Sequence, residues 1–120
     1  MKTIDKIIMI HMAVSDMDQA KEFYTDKLGF EATKDYGQGG KRWVSMVLPG
    51  GGTSINLTTF FENLKPGTMK LYLSTPDVEA AYKELEAKGV KLTSEITDDS
   101  WGKWFGMDEP DGNHWLIVQS

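Results

Sequence analysis

The alternation of apolar and polar positions along the chain divides it into strands and helices that occur twice in the same order. Residues 7–14 form a largely apolar, isoleucine-rich run that predicts a buried strand. Met17, Ala20, Phe23, Tyr24 and Leu28 then fall at helical spacing and make one apolar stripe. Ser15 is placed to cap that helix, with Asp18 three residues on in a weak capping-box arrangement, and Gly29 supplies a left-handed C-terminal cap. Strands are expected at about 30–35, 42–48 and 53–58, separated by Gly37-Gln38-Gly39-Gly40 and Pro49-Gly50-Gly51-Gly52. The second half follows the same plan. Residues 69–74 predict a strand, and Thr75-Pro76 puts a capping residue before a proline at the first helical position. Val78, Ala81, Tyr82 and Leu85 form the buried stripe, Gly89 ends the helix, and strands follow at about 91–96, 103–108 and 114–119.

The recurrence extends to individual residues. Trp43 and Trp104, each preceded by a basic residue, stand 61 positions apart (104 − 43), as do Pro49 and Pro110, Gly51 and Gly112, and Asp16 and Asp77. Leu28-Gly29-Phe30 matches Lys88-Gly89-Val90 after a slip of one residue. Two βαβββ modules, about 5–61 and about 68–120, therefore fill one domain over 1–120, with Glu62 to Thr68 as the joint and Lys65-Pro66-Gly67 as its turn. Alone, each module leaves one curved sheet face uncovered. The fold class is α+β, with two tandem modules forming curved mixed sheets that enclose a cup-shaped cavity.

Composition narrows the partners. A chain of 120 residues with 40% hydrophobic content is the size of a single globular domain. The net charge of −5 argues against a nucleic-acid surface, which is normally basic. The N-terminal apolar run, broken by His11, is too short for a signal-peptide core or a membrane span, so no membrane partner and a cytoplasmic location are expected. The absence of cysteine excludes disulfides, thiolate metal ligands and a cysteine nucleophile. Gly50-Gly51-Gly52 lacks the lysine and hydroxyl residue of a phosphate loop, and no serine sits in a nucleophile-elbow sequence.

Residues 16–24 (Asp-Met-Asp-Gln-Ala-Lys-Glu-Phe-Tyr), followed by Leu28-Gly29-Phe30, resemble the first-helix signature of the glyoxalase/bleomycin-resistance/dioxygenase superfamily, the vicinal oxygen chelate fold. Glu109-Pro110-Asp111-Gly112-Asn113, leading into a last apolar strand, is similar to that family's near-terminal turn. The resemblance covers essentially the whole chain. It implies paired modules around a site, commonly in a homodimer, but it selects no activity, because the family includes lyases, dioxygenases, isomerases and drug-sequestering proteins.

Metal-dependent members carry histidine and glutamate on the first and last strands of their modules. By that resemblance the ligand positions fall here on Met9, Asn56, Lys70 and Leu116, a poor set for a divalent ion. No cofactor is therefore expected. The alternative is a divalent metal held by His11, with His114 and Asn56 as displaced partners, in a lyase, isomerase or dioxygenase of the glyoxalase type. Otherwise His11 is a hydrogen-bonded core histidine and His114 a rim residue.

Strand parity turns Met9, His11, Ser54, Asn56, Thr58, Lys70, Tyr72 and Leu116 toward the cup, a mixed lining suited to a small organic molecule. Lys70, if buried, would serve as a base or pair with an anion, and otherwise snorkels to the rim; His11 and Tyr72 complete the acid–base candidates of a metal-free enzyme. Of the four tryptophans, Trp43 and Trp104 are expected to pack equivalent places in the two modules and Trp115 to pack against a helix. Trp101, in an expected loop over 98–102, is the candidate for stacking a ligand at a mouth. The leading expectation is binding of an aromatic or amphipathic small molecule without the family's metal.

Overall fold

Side chains that alternate along a strand fall on two faces of a sheet, and in this protein the helix of each module covers one of them. The computed structural model describes residues 3–39, 41–59 and 64–120, apart from the side chain of residue 38. The chain divides into two compact units, Met1–Leu64 and Lys65–Ser120. Both are built on curved mixed sheets. Of the predicted joint over 62–68, positions 62 and 63 lie outside the described residues, as does position 40 of the first glycine-rich turn.

The first unit contains β1 (Met9–Ala13), α1 (Met17–Glu22), a π-helical continuation of α1 (Phe23–Lys27), β2 (Glu31–Gln38), β3 (Lys41–Val47) and β4 (Ser54–Thr58). The sheet order is β1-β4-β3-β2, with β1 parallel to β4 and the other pairs antiparallel. On the helix-bearing face Met12, Val44, Met46 and Leu57 are wholly buried, and Met17, Ala20, Phe23 and Tyr24 of the helix stripe are buried against them. The Tyr24 hydroxyl donates to Met12 Sδ at 3.2 Å, and the Tyr24 ring meets Phe23 and Phe30 edge-on at 5.4 and 5.5 Å. Removing each such side chain from water stabilises the fold by roughly 1.5–3 kcal/mol.

The second unit contains β5 (Lys70–Thr75), α2 (Val78–Ala87), β6 (Lys91–Leu92), β7 (Thr97–Asp99), β8 (Gly102–Asp108) and β9 (His114–Gln119). Its order is β5-β9-β8-β6, with β5 parallel to β9 and β7 paired only with β8. Phe105, Met107, Trp115 and Ile117 fill the helix-bearing face, where Tyr82 of α2 meets Phe105 edge-on at 5.2 Å. Trp115 thus lies on the helix side, as its parity predicts.

Several expectations require correction. The run over 7–14 is not a buried strand throughout: only residues 12–14 are buried, β1 begins at Met9, and Ile8 is 68% exposed. The helix caps are not Ser15 and Thr75-Pro76. Asp16 accepts from Gln19 N at 3.1 Å and Asp77 accepts from Ala80 N at 3.0 Å, because an aspartate in extended conformation reaches the free N–H groups of the first turn. Pro76 therefore lies outside the helix. The strand expected at 30–35 runs to Gln38, so Gly37 and Gln38 pair with Arg42 and Lys41 rather than forming the turn. The strand expected at 91–96 is cut short at Leu92, and pairing with β8 resumes only at Thr97, beyond the expected range. Between Leu92↔Met107 and Thr97↔Trp104 the outer chain carries two extra residues, and Gly106 N donates to Ser94 Oγ at 3.0 Å in place of a strand backbone acceptor. Residues 97–99 consequently form β7, so the loop expected over 98–102 shrinks to Ser100 and Trp101.

The Glu109–Asn113 turn has a structural role. Gly112 N donates to Glu109 O at 2.8 Å, Asn113 N donates to Glu109 Oε1 at 2.8 Å, and Asn113 Oδ1 accepts from Met69 N at 2.9 Å. Glu109 and Asn113 are buried, so the motif fastens the start of β5 to the turn between β8 and β9. In the first unit Gly51 N donates to Leu48 O, the same turn 61 residues earlier (112 − 51).

Candidate functional site

Each sheet has a second face, opposite its helix, which carries most of the polar candidates. In the first unit the parallel register sets Met9 beside Ser54, His11 beside Asn56 and Ala13 beside Thr58. Asn56 is 4% exposed and Thr58 is also buried; the Ser45 hydroxyl on β3 donates to Asn56 Oδ1 at 2.5 Å. His11 is exposed, Met9 lies at the margin of exposure, and Ser54 is half-buried with its hydroxyl donating to Ile8 O at 3.1 Å. His11 is therefore exposed and not the partly buried core histidine expected where it holds no metal. Its strand neighbour is an amide already engaged by Ser45.

In the second unit Lys70 is the register partner of His114, and Tyr72 that of Leu116. Lys70 is exposed, Tyr72 is 60% exposed, and Leu116 is buried. The chain thus brings the candidates together as pairs within each sheet: His11 with Asn56, and Tyr72 with Leu116. Among the described residues no group of three or more histidine, cysteine or carboxylate side chains is placed to hold a metal ion.

Aromatic rings occupy equivalent places on the two open faces. Trp43 lies opposite Tyr36 on β2, with ring centroids 5.6 Å apart. Trp104, its counterpart, lies opposite Thr97 and is stacked instead by Trp101 at 5.8 Å with 18° between the planes. Trp101 and Ser100 form the two-residue turn joining β7 to β8, so Trp101 sits at a hairpin tip rather than in an open loop. Trp101 is 54% exposed. Trp104 Nε1 donates to Asp99 Oδ2 at 2.9 Å, which fixes the inner ring and leaves the outer face of Trp101 to solvent.

One constellation escapes the sequence reading. His114 Nδ1 stands 2.8 Å from Asp108 Oδ1, a pair formed because the two residues flank the Glu109–Asn113 turn and so face each other across the hairpin. The regular opposition of residues around an identified turn is the signal that would have found it. A separate charged network lies on the helix side of the first sheet: Arg42 binds Asp35 and Asp18 at 2.8 Å, and Lys21 binds Asp35 at 2.9 Å. Hydrogen bonds from Arg42 and then Lys21 hold the Asp35 carboxyl well below the usual carboxylate range, and Asp35 and Asp18 raise Arg42. That network ties α1 to β2 and β3 and faces away from the candidates. A surface depression of about 390 Å³, lined by Lys6, Ile7, Ile8, Gly52 and Thr53, also contains none of them. No helix among the described residues is long and apolar enough to cross a membrane.

The family profile described as Glyoxalase/Bleomycin resistance protein/Dioxygenase superfamily matches residues 5–117. The chain is 34% identical to the Bacillus subtilis (strain 168) protein YurT over 95% of this chain and 98% of that one. Among solved structures it is similar to TnmS3, an antibiotic binding protein from Streptomyces sp. CB03234, at 30% identity and a TM-score of 0.92, covering 99% of this chain and 98% of that one. A superfamily member from Sphaerobacter thermophilus DSM 20745 matches at 29% identity and a TM-score of 0.88, over 99% of this chain and all of that one.

Proposed function

Because the chain belongs to the Glyoxalase/Bleomycin resistance protein/Dioxygenase superfamily, we propose that it binds a small aromatic or amphipathic organic molecule on the open faces of its sheets, without a resident metal. The observation that carries this reading is the Trp101–Trp104 stack, whose outer ring face is exposed at a hairpin tip. A planar ligand laid on that face gains dispersion and apolar burial without any rearrangement of the inner ring, which Asp99 holds. The described antibiotic binding by TnmS3, a relative of 30% identity, supports extending small-molecule binding to this chain.

The donor set does not fit a divalent ion. Hard and borderline cations require several imidazole or carboxylate donors. The first unit offers His11 beside an amide already bound by Ser45, and the second offers lysine, tyrosine, leucine and a single imidazole, His114, with the Asp108 carboxylate engaged at its Nδ1.

The form proposed is a homodimer, as in many members of the family. Ile4, Ile7, Ile8 and Met9 leave a run of apolar side chains exposed on the single chain, a feature of association surfaces.

The test is an equilibrium titration against a panel of aromatic compounds, followed by tryptophan fluorescence, before and after treatment with a chelator. Quenching that survives the chelator and is lost in Trp101→Ala is expected. A silent panel, or binding abolished by metal removal, would overturn the reading.

A further inference from the structure

A row of ionisable side chains crosses the second sheet on its open face. Lys70 on β5 partners His114 on β9, His114 partners Asp108 on β8, and Asp108 partners Lys91 on β6. Register partners on adjacent strands point to the same side of a sheet. The first sheet offers no such row at the matching strand ends, where Met9 lies beside Ser54 and Glu31 beside Val47.

Within the row, His114 is positioned from two directions. Asp108 Oδ1 stands 2.8 Å from Nδ1, while the other Asp108 oxygen faces Lys91 Nζ at 3.9 Å. An ionised carboxylate only accepts, so neutral His114 carries its proton on Nδ1 and presents a lone pair at Nε2. Beneath the ring lies Gly106. A Cβ there would stand 3.1 Å from His114 Cε1 and 3.3 Å from Nε2, so glycine makes the room in which the imidazole lies. The ring is part-exposed, and Nε2 makes no hydrogen bond to the described residues.

We infer that His114 Nε2, oriented by Asp108 and neighboured by Lys70, is a hydrogen-bond acceptor for a hydroxyl group on the ligand, which makes hydroxylated aromatics the favoured class. The inference rests on the reading of this face as a small-molecule site, and places a second contact point on it: His114 lies four residues along β9 from Val118, the partner of Trp104, about 13 Å from the tryptophan stack. A hydroxyl both donates and accepts: it donates to Nε2 and its oxygen accepts from the Lys70 ammonium. An ether of the same shape cannot donate and leaves Nε2 unpaired against the ligand.

The closing experiment compares naphthol with its methyl ether by isothermal titration calorimetry on the full chain. Naphthol is expected to bind roughly five- to tenfold more tightly, the loss expected for one hydrogen bond. His114→Ala removes the preference. In Asp108→Asn the amide donates to Nδ1 and moves the imidazole proton to Nε2, and the preference is lost, because hydroxyl and ether oxygens both accept from Nε2–H. Both variants are checked for folding by circular dichroism, and nitrogen NMR of His114 reads the tautomer without any ligand. Equal affinity of the two compounds for the unaltered protein overturns the inference while leaving small-molecule binding in place. A preference that persists in His114→Ala, or a neutral His114 protonated on Nε2, also overturns it. Failure of both naphthyl compounds to bind overturns it too, and a silent wider panel takes the broader reading with it.

Discussion

Asp16 and Asp77 accept the same hydrogen bond at the same place in the two units, each from the backbone N–H three residues ahead, at 3.1 and 3.0 Å. Their backbones are extended alike, with φ of −132° and −144°. Replacing either with alanine strands a helix N–H, so Asp16→Ala and Asp77→Ala should each destabilise the protein by about 1 kcal/mol, and asparagine should retain most of the effect. Urea denaturation checks this; no change in midpoint for both alanine variants would show that the caps contribute nothing.

Asp35 gives a pH signature. Its carboxyl is held below the ordinary range by Arg42 and Lys21, so its contribution is fully present above the unfolded carboxyl value, about 3.9, and is lost as pH falls from there toward the folded value. The side chains of Asp35, Arg42 and Lys21 are each about one-third exposed, at 33%, 33% and 35%, which limits the network to about 1 kcal/mol at neutral pH and low salt. Asp35→Asn should therefore lower stability at neutral pH and flatten the acid limb of the stability curve. Urea midpoints across the acid range measure both effects, and the difference between the two proteins should shrink in high salt.

Gly106 lies under two side chains at once. A Cβ placed there collides with Thr93 Oγ1 and stands 3.1 Å from His114 Cε1. Gly106→Ala should cost about 1–3 kcal/mol through overpacking, and adding Thr93→Ala should recover part of it. A double-mutant cycle by chemical denaturation gives the coupling. Strict additivity would show that the two side chains do not compete for that space.

The exposed apolar run at the start of the chain predicts concentration-dependent association. Ile8→Lys places a charge in that run, away from the helix-bearing core, and should shift the protein toward monomer with little change in far-ultraviolet circular dichroism. Size-exclusion chromatography with light scattering reads the outcome. A protein that is monomeric at all concentrations before the change would refute the proposed dimer.

Much of the architecture is legible in the pattern of residues, and the exceptions share a cause. The helix stripes, Gly29 and Gly89, and the Pro49 and Pro110 turns follow from local rules, because backbone geometry at those places is set by neighbours in sequence. The caps are shifted by one and two residues because serine, threonine and aspartate all satisfy the local preference. Only the 61-residue match of Asp16 to Asp77 distinguishes among them. The break after Leu92 depends on Ser94 and Thr93 meeting Gly106 on another strand, a long-range contact that period-two patterning does not encode. The exposure of Ile7 and Ile8 has no local signal either, since an apolar run reads the same whether it faces a core or solvent. At the candidate site, parity orders the faces, whereas register decides neighbours, and register places His11 rather than Met9 beside Asn56.

Among the described residues the short strand β7 pairs only with β8, and Trp101 rides on the turn that joins them. The hairpin tip is thus decoupled from the residues that hold α2 against its sheet. Substitution of the half-exposed Trp101 ring should therefore leave the interior intact. A scaffold of this kind is free to diversify what it recognises by drift at a single projection, and directed evolution aimed at new ligands should begin with residues 98–102.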